Sequence, residues 1–256
     1  CRAQWLAGQK QDRRKKASEA MQLLKEAQVA LARLVRDVNN SIRARVVLLP
    51  ANSAGDNIIF HAEGGDVVLP LLRQQKDGEE CLSLSDFVKP CGTDYVGAFA
   101  VTAGRGIEEI ISGYQQTDDF KALLYQSLSD RLAEAAAELL HARVRREVWG
   151  YAPDERIDRQ RALRAQYRGI RPAAGYPSLP DQSAIFAIEK IVGFANVGIA
   201  VTPNGAMSPA SSVSGLMIAH PASRYFMIGA IAPDQRRDYA ARRGITEEEL
   251  SKWLPK

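Results

Sequence analysis

Seven apolar residues spaced four apart (Leu124, Leu128, Leu132, Ala136, Leu140, Val144 and Val148) constrain what this chain can fold into more than any other feature. An α-helix closes a turn in about 3.6 residues, so a strict four-residue spacing drifts slowly around the axis. No single neighbour can cover such a stripe, and a core helix touched by several elements is predicted. Thr117 is the expected N-cap, with Asp118 and Asp119 in the first turn, where acids suit the positive end of the helix dipole. Gly150 marks the end.

A helix of this kind needs a core around it. The chain has 256 residues, 46% of them hydrophobic and 25% charged, enough for one large domain or two small ones. Met21, Leu24, Ala27, Leu31 and Leu34 predict an amphipathic helix over 17–38. Residues 45–52 and 56–60 read as two strands around a Gly55-Asp56 turn, and 95–101 as a further strand. Residues 67–72, interrupted by Pro70, fit either a strand or the start of a helix. After a short Arg-rich helical segment, three prolines and a glycine between Arg171 and Pro180 forbid regular structure. A short helix is predicted over 184–194, then β-like stretches over 197–202, 212–219 and 225–231. Two helices close the chain. One spans about 234–243 and stops at Gly244; the other opens with the capping box Thr246–Glu249 and carries Leu250, Trp253 and Leu254. Strands in runs, separated by long helices instead of alternating with them, predict an α+β fold with antiparallel sheet.

Several function classes find little support. The three cysteines and three histidines stand far apart with no Cys-x-x-Cys, against both a disulfide framework and a zinc site. A cytoplasmic location is the expectation. No apolar run approaches the roughly 18 residues of a membrane span, and no signal peptide is recognised. The first residue is Cys1, so a fragment of a longer chain is expected. The net charge of +4 gathers at Arg13–Lys16, at Arg143, Arg145 and Arg146, and among the arginines from Arg156 to Arg171. These patches read first as solvated helix faces and second as a docking surface for an acidic partner. A nucleic-acid module, lacking interleaved aromatics, ranks well behind. Gly104-Arg-Gly106 lacks the third glycine of a dinucleotide loop, His61 and Glu63 resemble a metal pair only in type, and Ser211–Gly215 does not form a nucleophile elbow.

Two places offer chemistry. In Arg171-Pro-Ala-Ala-Gly-Tyr176 the arginine presents a planar fork that matches a carboxylate, and prolines on both sides stiffen the loop. Gly175 permits close main-chain approach and Tyr176 adds an aromatic face, a set suited to a zwitterion carrying an aromatic ring. A rigid surface loop with one exposed arginine is the competing reading. The second place is the pair Asp130 and Glu134, four apart on the long helix, where two like charges cost a few tenths of a kcal/mol unless a cation or imidazole lies nearby. Solvated acids balanced by Arg131 would look the same.

Longer stretches carry a family resemblance. They are Asp86-Phe-Val-Lys-Pro90, Asp94–Thr102, Asp130-Arg-Leu-Ala-Glu134 continuing through His141–Tyr151, Tyr167–Pro177, Ser212-Val-Ser-Gly215 with His220–Phe226, and Asp238–Gly244. In this order they resemble the activation domain of cobalamin-dependent methionine synthase. The resemblance implies a C-shaped α+β domain with bent antiparallel sheet and flanking helices. It also implies a reactivation role, in which S-adenosylmethionine is presented to cob(II)alamin for reductive methylation while a flavodoxin-type protein delivers an electron. By matched position, Arg171 would hold the ligand's carboxylate and the main chain at Ala173 its polar groups. Gly175, Tyr176 and Tyr225 would complete that site. Asp130 and Glu134 would meet the histidine released from cobalt when the cobalamin-binding module docks, and no catalytic side chain or metal is expected in this chain itself. Residues 1–40 would form an N-terminal helical segment of the same domain and 41–256 its ligand-binding body. Trp5-Leu-Ala-Gly8 resembles an early family stretch, upstream of which the family carries a ligand-contacting aspartate, before Cys1 of this sequence. Pro203 stands where the family more often has an acid, and the cobalamin-binding loop and thiolate zinc set are missing. A docking domain of the same fold that no longer binds S-adenosylmethionine is the alternative.

Overall fold

The computed structural model describes residues 2–37, 42–76 and 78–255, with side chains for 15–36, 42–76 and 78–255. Its first element, α1 (Arg2–Asp37), begins well before the expected start at 17. Trp5–Gly8 lie in it, with their side chains outside the described residues. Of the predicted stripe only Leu34 is buried: with Ala30, outside that stripe, it joins Ile107, Ile111 and Tyr125 in a core cluster, while Ala27 and Leu31 are half-buried and Met21 and Leu24 are exposed. The expected boundary at 40/41 falls outside the described residues.

The sheet contains β1 (Arg43–Ser53), β2 (Asn57–Phe60), β3 (Val67–Pro70), β4 (Tyr95–Thr102) and a later strand, β7 (Ser212–Met217), in the order β3-β2-β1-β4-β7. Every neighbouring pair is antiparallel. β1 explains the bend. Arg43 to Pro50 pair with β4, whereas Ala51 to Ser53 pair with β2, so one strand belongs to both halves of the sheet. Pro50, which has no N–H to donate, stands where the ladder changes partner. The stretch at 67–72 is a strand over Val67–Pro70, and Leu71 and Leu72 lie beyond it. Along β4 the side chains alternate: Ala98 and Ala100 face the large core beneath a later helix, and Phe99 and Val101 face the long core helix. Each large side chain buried this way contributes about 1.5–3 kcal/mol.

A helix not foreseen from the sequence, α2 (Arg105–Gln115), follows β4 directly. Gly104, at φ 92°, turns the chain into it, so the Gly104-Arg-Gly106 stretch is a helix start. The core helix, α3 (Asp119–Arg143), continues into a π-helical turn at Val144–Val148. Its N-cap is Asp118, one residue beyond the expected Thr117, and the Asp118 carboxylate accepts from the Lys121 N–H at 3.0 Å. The leucine row is only partly buried. The deepest row is its neighbour, Ser129, Ala133, Ala137 and His141, because small residues let the helix press close to the sheet. On the other flank of this row lie Gln126, Asp130, Glu134 and Glu138, half-buried.

The Arg-rich helical segment shrinks to α4 (Arg159–Leu163). α5 (Ala184–Val192) packs Ile185, Ile188 and Val192 into the large core and ends at Gly193, φ 66°. The β-like stretch expected at 197–202 is a 3-10 turn, Phe194–Val197, followed by the two-residue β5 (Ala200–Val201), which pairs with β6 (Met207–Ser208). The stretch at 225–231 is not a strand. Ile228 N–H donates to the Pro177 carbonyl at 2.9 Å, but no ladder forms; Phe226, Ile228 and Ile231 pack into core clusters, while Tyr225 and Met227 are exposed. α6 (Pro233–Arg243) ends at Gly244 and α7 (Glu247–Leu250) is capped by Thr246, whose hydroxyl accepts from Glu249 N–H. The fold is α+β, a bent antiparallel sheet flanked by helices.

Candidate functional site

The segment from Ile170 to Ala174 lies along the free edge of β7. Ile170 and Ile218 exchange both main-chain hydrogen bonds at 2.9 Å, Leu216 N–H donates to Pro172 O at 2.9 Å, and Ala174 N–H donates to Ser214 O at 3.4 Å. Pro172 faces β7 and has no N–H to donate, so this rung carries only the bond that its carbonyl accepts from Leu216. Ala173 sits opposite Gly215 between these bonds, so its own N–H and C=O face away from β7. Gly215 is required for the approach. A Cβ there would lie 2.7 Å from Ala173 Cα and closer still to the Pro172 oxygen.

Gly175, at φ 82°, then reverses the chain, with its N–H bonded to Leu179 O at 2.9 Å and Tyr176 N–H bonded to Ala173 O at 3.2 Å. The far end is anchored by Asp181, which is almost fully buried. Its carboxylate accepts from Tyr239 Oη at 2.7 Å, Ser183 N–H at 2.8 Å, the Ser183 hydroxyl and Arg243. A stiff loop is thus pinned at both ends, to the sheet and to α6.

Between this loop, α3 and the Tyr225–Phe226 stretch opens a cleft of about 340 Å³, within the size range of small-ligand sites. Arg171, Ala173, Tyr176, Glu134 and Tyr225 all line it, together with Val213 and Phe226. Tyr176 and Tyr225 are 57% and 45% exposed, leaving their rings available. The Tyr225 hydroxyl accepts from the Arg171 main-chain N–H at 2.9 Å. The Arg171 guanidinium donates through Nη2 to Glu138 Oε2 at 2.6 Å, while Arg171 Nε and Glu138 Oε1 are buried without a partner among the described residues. Burial works against the arginine's charge, but the Glu138 carboxylate outweighs it and holds the guanidinium above its ordinary pKa.

Behind the cleft lies a polar layer. Arg145, almost fully buried where the π-helical turn aims it inward, donates to Glu155 at 2.7 Å and stacks 4.1 Å over the Tyr167 ring. His141 meets Tyr167 edge-on and lies 3.3 Å through Nε2 from the Tyr151 hydroxyl. Burial, reinforced by the charges of Arg145 and Arg171, pushes His141 down to about 2. Burial likewise pushes Tyr151 and Tyr167 up. Imidazole and phenols are therefore neutral, and the layer's charges are the two Arg–Glu pairs.

Not every expected residue joins the cleft. Asp130, one turn before Glu134, has Oδ1 accepting from the Ser211 hydroxyl at 2.6 Å and Gln126 Nε2 at 2.9 Å, outside the cleft wall. Glu134 accepts from Arg131 at 2.7 Å. Gly175 faces an adjoining hollow of about 590 Å³ that shares Tyr176 and Pro177 as walls. His61 bonds to Asp66 and Asn52, not Glu63. Among the described residues no group of three or more His, Cys, Asp or Glu is placed to hold a metal ion, and no helix is long and apolar enough to cross a membrane. Glu138 escaped the sequence reading, although its place four residues after Glu134 extends the acid spacing along the same face.

Fold and cleft define an α+β module with a ligand-sized cleft at a sheet edge, built around one arginine. The model of the vitamin B12-dependent methionine synthase activation domain matches residues 5–244. The crystal structure of the MetH reactivation domain bound to AdoHcy is similar at a TM-score of 0.84 and 38% sequence identity, covering 92% of this chain and 76% of that one. The chain belongs to the activation-domain family of vitamin B12-dependent methionine synthase.

Proposed function

We propose that the cleft binds S-adenosylmethionine in the cytoplasm and presents its methyl group for reductive methylation of cob(II)alamin. The cobalamin is carried by a cobalamin-binding module, and a flavodoxin-type reductant supplies the electron. The observation that supports this reading is the meeting in one cleft of a carboxylate-matching arginine, two open tyrosine rings, an outward-facing main-chain edge and an acid. The ligand supplies an electrophilic methyl on a sulfonium; this chain supplies position.

Arg171 takes the ligand's carboxylate, and the outward N–H of Ala173 takes a second polar group. Tyr176 and Tyr225 offer faces to the nucleoside and to the sulfonium cation, with Glu134 adding negative charge on the same side. Gly175 serves the site through the turn that places Tyr176. Asp130 and Glu134 receive the imidazole released from cobalt on docking, with Asp130 already oriented by Ser211 and Gln126. α1 acts as part of the same domain, since Ala30 and Leu34 pack against α2 and α3.

The engagement of Arg171 by Glu138 favours one competing reading, a docking domain that no longer binds the ligand. Titration calorimetry separates the two. The chain is expected to bind S-adenosylmethionine saturably, and Arg171→Ala to weaken binding by more than about tenfold. Equal affinity in both proteins would remove Arg171 from the site.

A further inference from the structure

We infer that Glu138 is a positioning residue for ligand-carboxylate recognition, acting through Arg171; the inference rests on the reading of the cleft given above. The main chain of Arg171 is fixed by the Tyr225 hydroxyl and by the bonds of its neighbours to β7, but its long side chain is not fixed by either. An arginine gives up considerable rotamer freedom when its fork is immobilised, and that loss subtracts from affinity unless it has already occurred in the free protein. Glu138 is the only carboxylate that holds this guanidinium among the described residues, at 2.6 Å.

The mode of contact matters. Glu138 engages Nη2 alone, and Nε has no acceptor, so the pair is not the side-on, two-bond arrangement that would occupy a whole edge of the fork. The two N–H donors of Nη1, neither engaged by Glu138 nor among the buried unpartnered atoms, remain for a second carboxylate. Glu138 is in turn dedicated to this task, since its other oxygen is buried and unpartnered. The acid also answers an electrostatic need. Arg145 lies in the same buried layer, and the charges of both arginines act on His141, so an unpaired Arg171 would add a second positive charge to a poorly solvated place. Along α3, Glu134 faces the cleft and Glu138, one turn later, faces the arginine. Arg171 on Glu138 and Arg131 on Glu134 relieve the like-charge spacing of the two acids.

The test uses calorimetry with two probes, S-adenosylmethionine and its decarboxylated analogue, on the chain and on Glu138→Ala and Glu138→Gln. Glu138→Ala is expected to weaken S-adenosylmethionine about tenfold while the decarboxylated analogue changes by less than about twofold. Glu138→Gln, whose amide oxygen can still accept from Nη2, is expected to recover most of the lost affinity. Equal weakening of both probes in Glu138→Ala would assign the residue a purely structural role and overturn the inference, as would unchanged binding of both. If the unsubstituted chain itself fails to prefer the carboxylated probe, the assignment of Arg171 falls and this inference falls with it. If that preference is present and insensitive to Glu138, only this inference falls.

Discussion

Gly215→Ala is expected to lower the unfolding free energy by about 1–3 kcal/mol and to weaken S-adenosylmethionine binding more than about tenfold. The added methyl would meet main-chain atoms, the Pro172 carbonyl oxygen and Ala173 Cα, and these cannot rotate aside as a flexible side chain could. The loop that carries them is stiffened by Pro172 and Pro177 and anchored beyond them through Asp181. Relief must therefore come from lifting residues 171–174 off β7, which stretches the Leu216–Pro172 and Ala174–Ser214 hydrogen bonds. The same movement displaces Arg171 and the outward N–H of Ala173 together. Urea unfolding reads the first effect and calorimetry the second. A variant that loses stability while keeping full affinity would show that the register of this loop on β7 is not what builds the cleft.

The second large effect is a dependence of stability on pH set by His141. Its imidazole is lowered from 6.5 to about 2 in the folded chain, by burial and by Arg145 and Arg171. Above pH 6.5 it is neutral in both folded and unfolded states and makes no difference. Below that, the unfolded chain takes up a proton that the folded chain refuses, so stability falls as pH falls until the folded value is reached. The loss amounts to about 1.4 kcal/mol per pH unit, or about 2 kcal/mol at pH 5. Burial sets this direction first, and Arg145 and Arg171, each paired with a glutamate, reinforce it because they oppose a further positive charge. Unfolding of the chain and of His141→Gln measured from pH 7.5 to 4.5 isolates the histidine from the carboxylates. The variant should show a slope shallower by one proton, and parallel slopes would place His141 in a more solvated setting.

What could be read from the residues alone followed local physics. The core helix is announced by its four-residue spacing, α6 and α7 by Gly244 and the Thr246 capping box, and the antiparallel sheet by the order of its strands. The deepest row of α3 escaped that reading because close packing on a sheet selects small residues, and Ser129, Ala133 and Ala137 carry no hydrophobic signal of comparable strength. The stretch at 225–231 has the continuous apolar run of a buried strand, but pairing depends on a partner edge, which no local pattern specifies. α2 was masked by a glycine pair that reads as a loop.

The candidate site divides the same way. Spacing alone places Asp130, Glu134 and Glu138 on one helix face, and loop chemistry singles out Arg171 and Tyr176. Nothing in spacing joins Arg171 to Tyr225 or to α3. Those meetings are tertiary, produced by the packing of the 170–174 segment on β7; the family resemblance led one to expect the first, and nothing pointed to the second. Glu138 was overlooked because its significance lies entirely in the arginine it touches.

A crystal structure of the chain grown with S-adenosylmethionine examines the ligand site without intermediaries. The ligand's carboxylate should lie within hydrogen-bonding distance of the Arg171 guanidinium, with Glu138 still on Nη2 and the nucleoside against Tyr176 or Tyr225. A cleft left vacant at saturating ligand, or a ligand bound away from Arg171, would contradict the assignment.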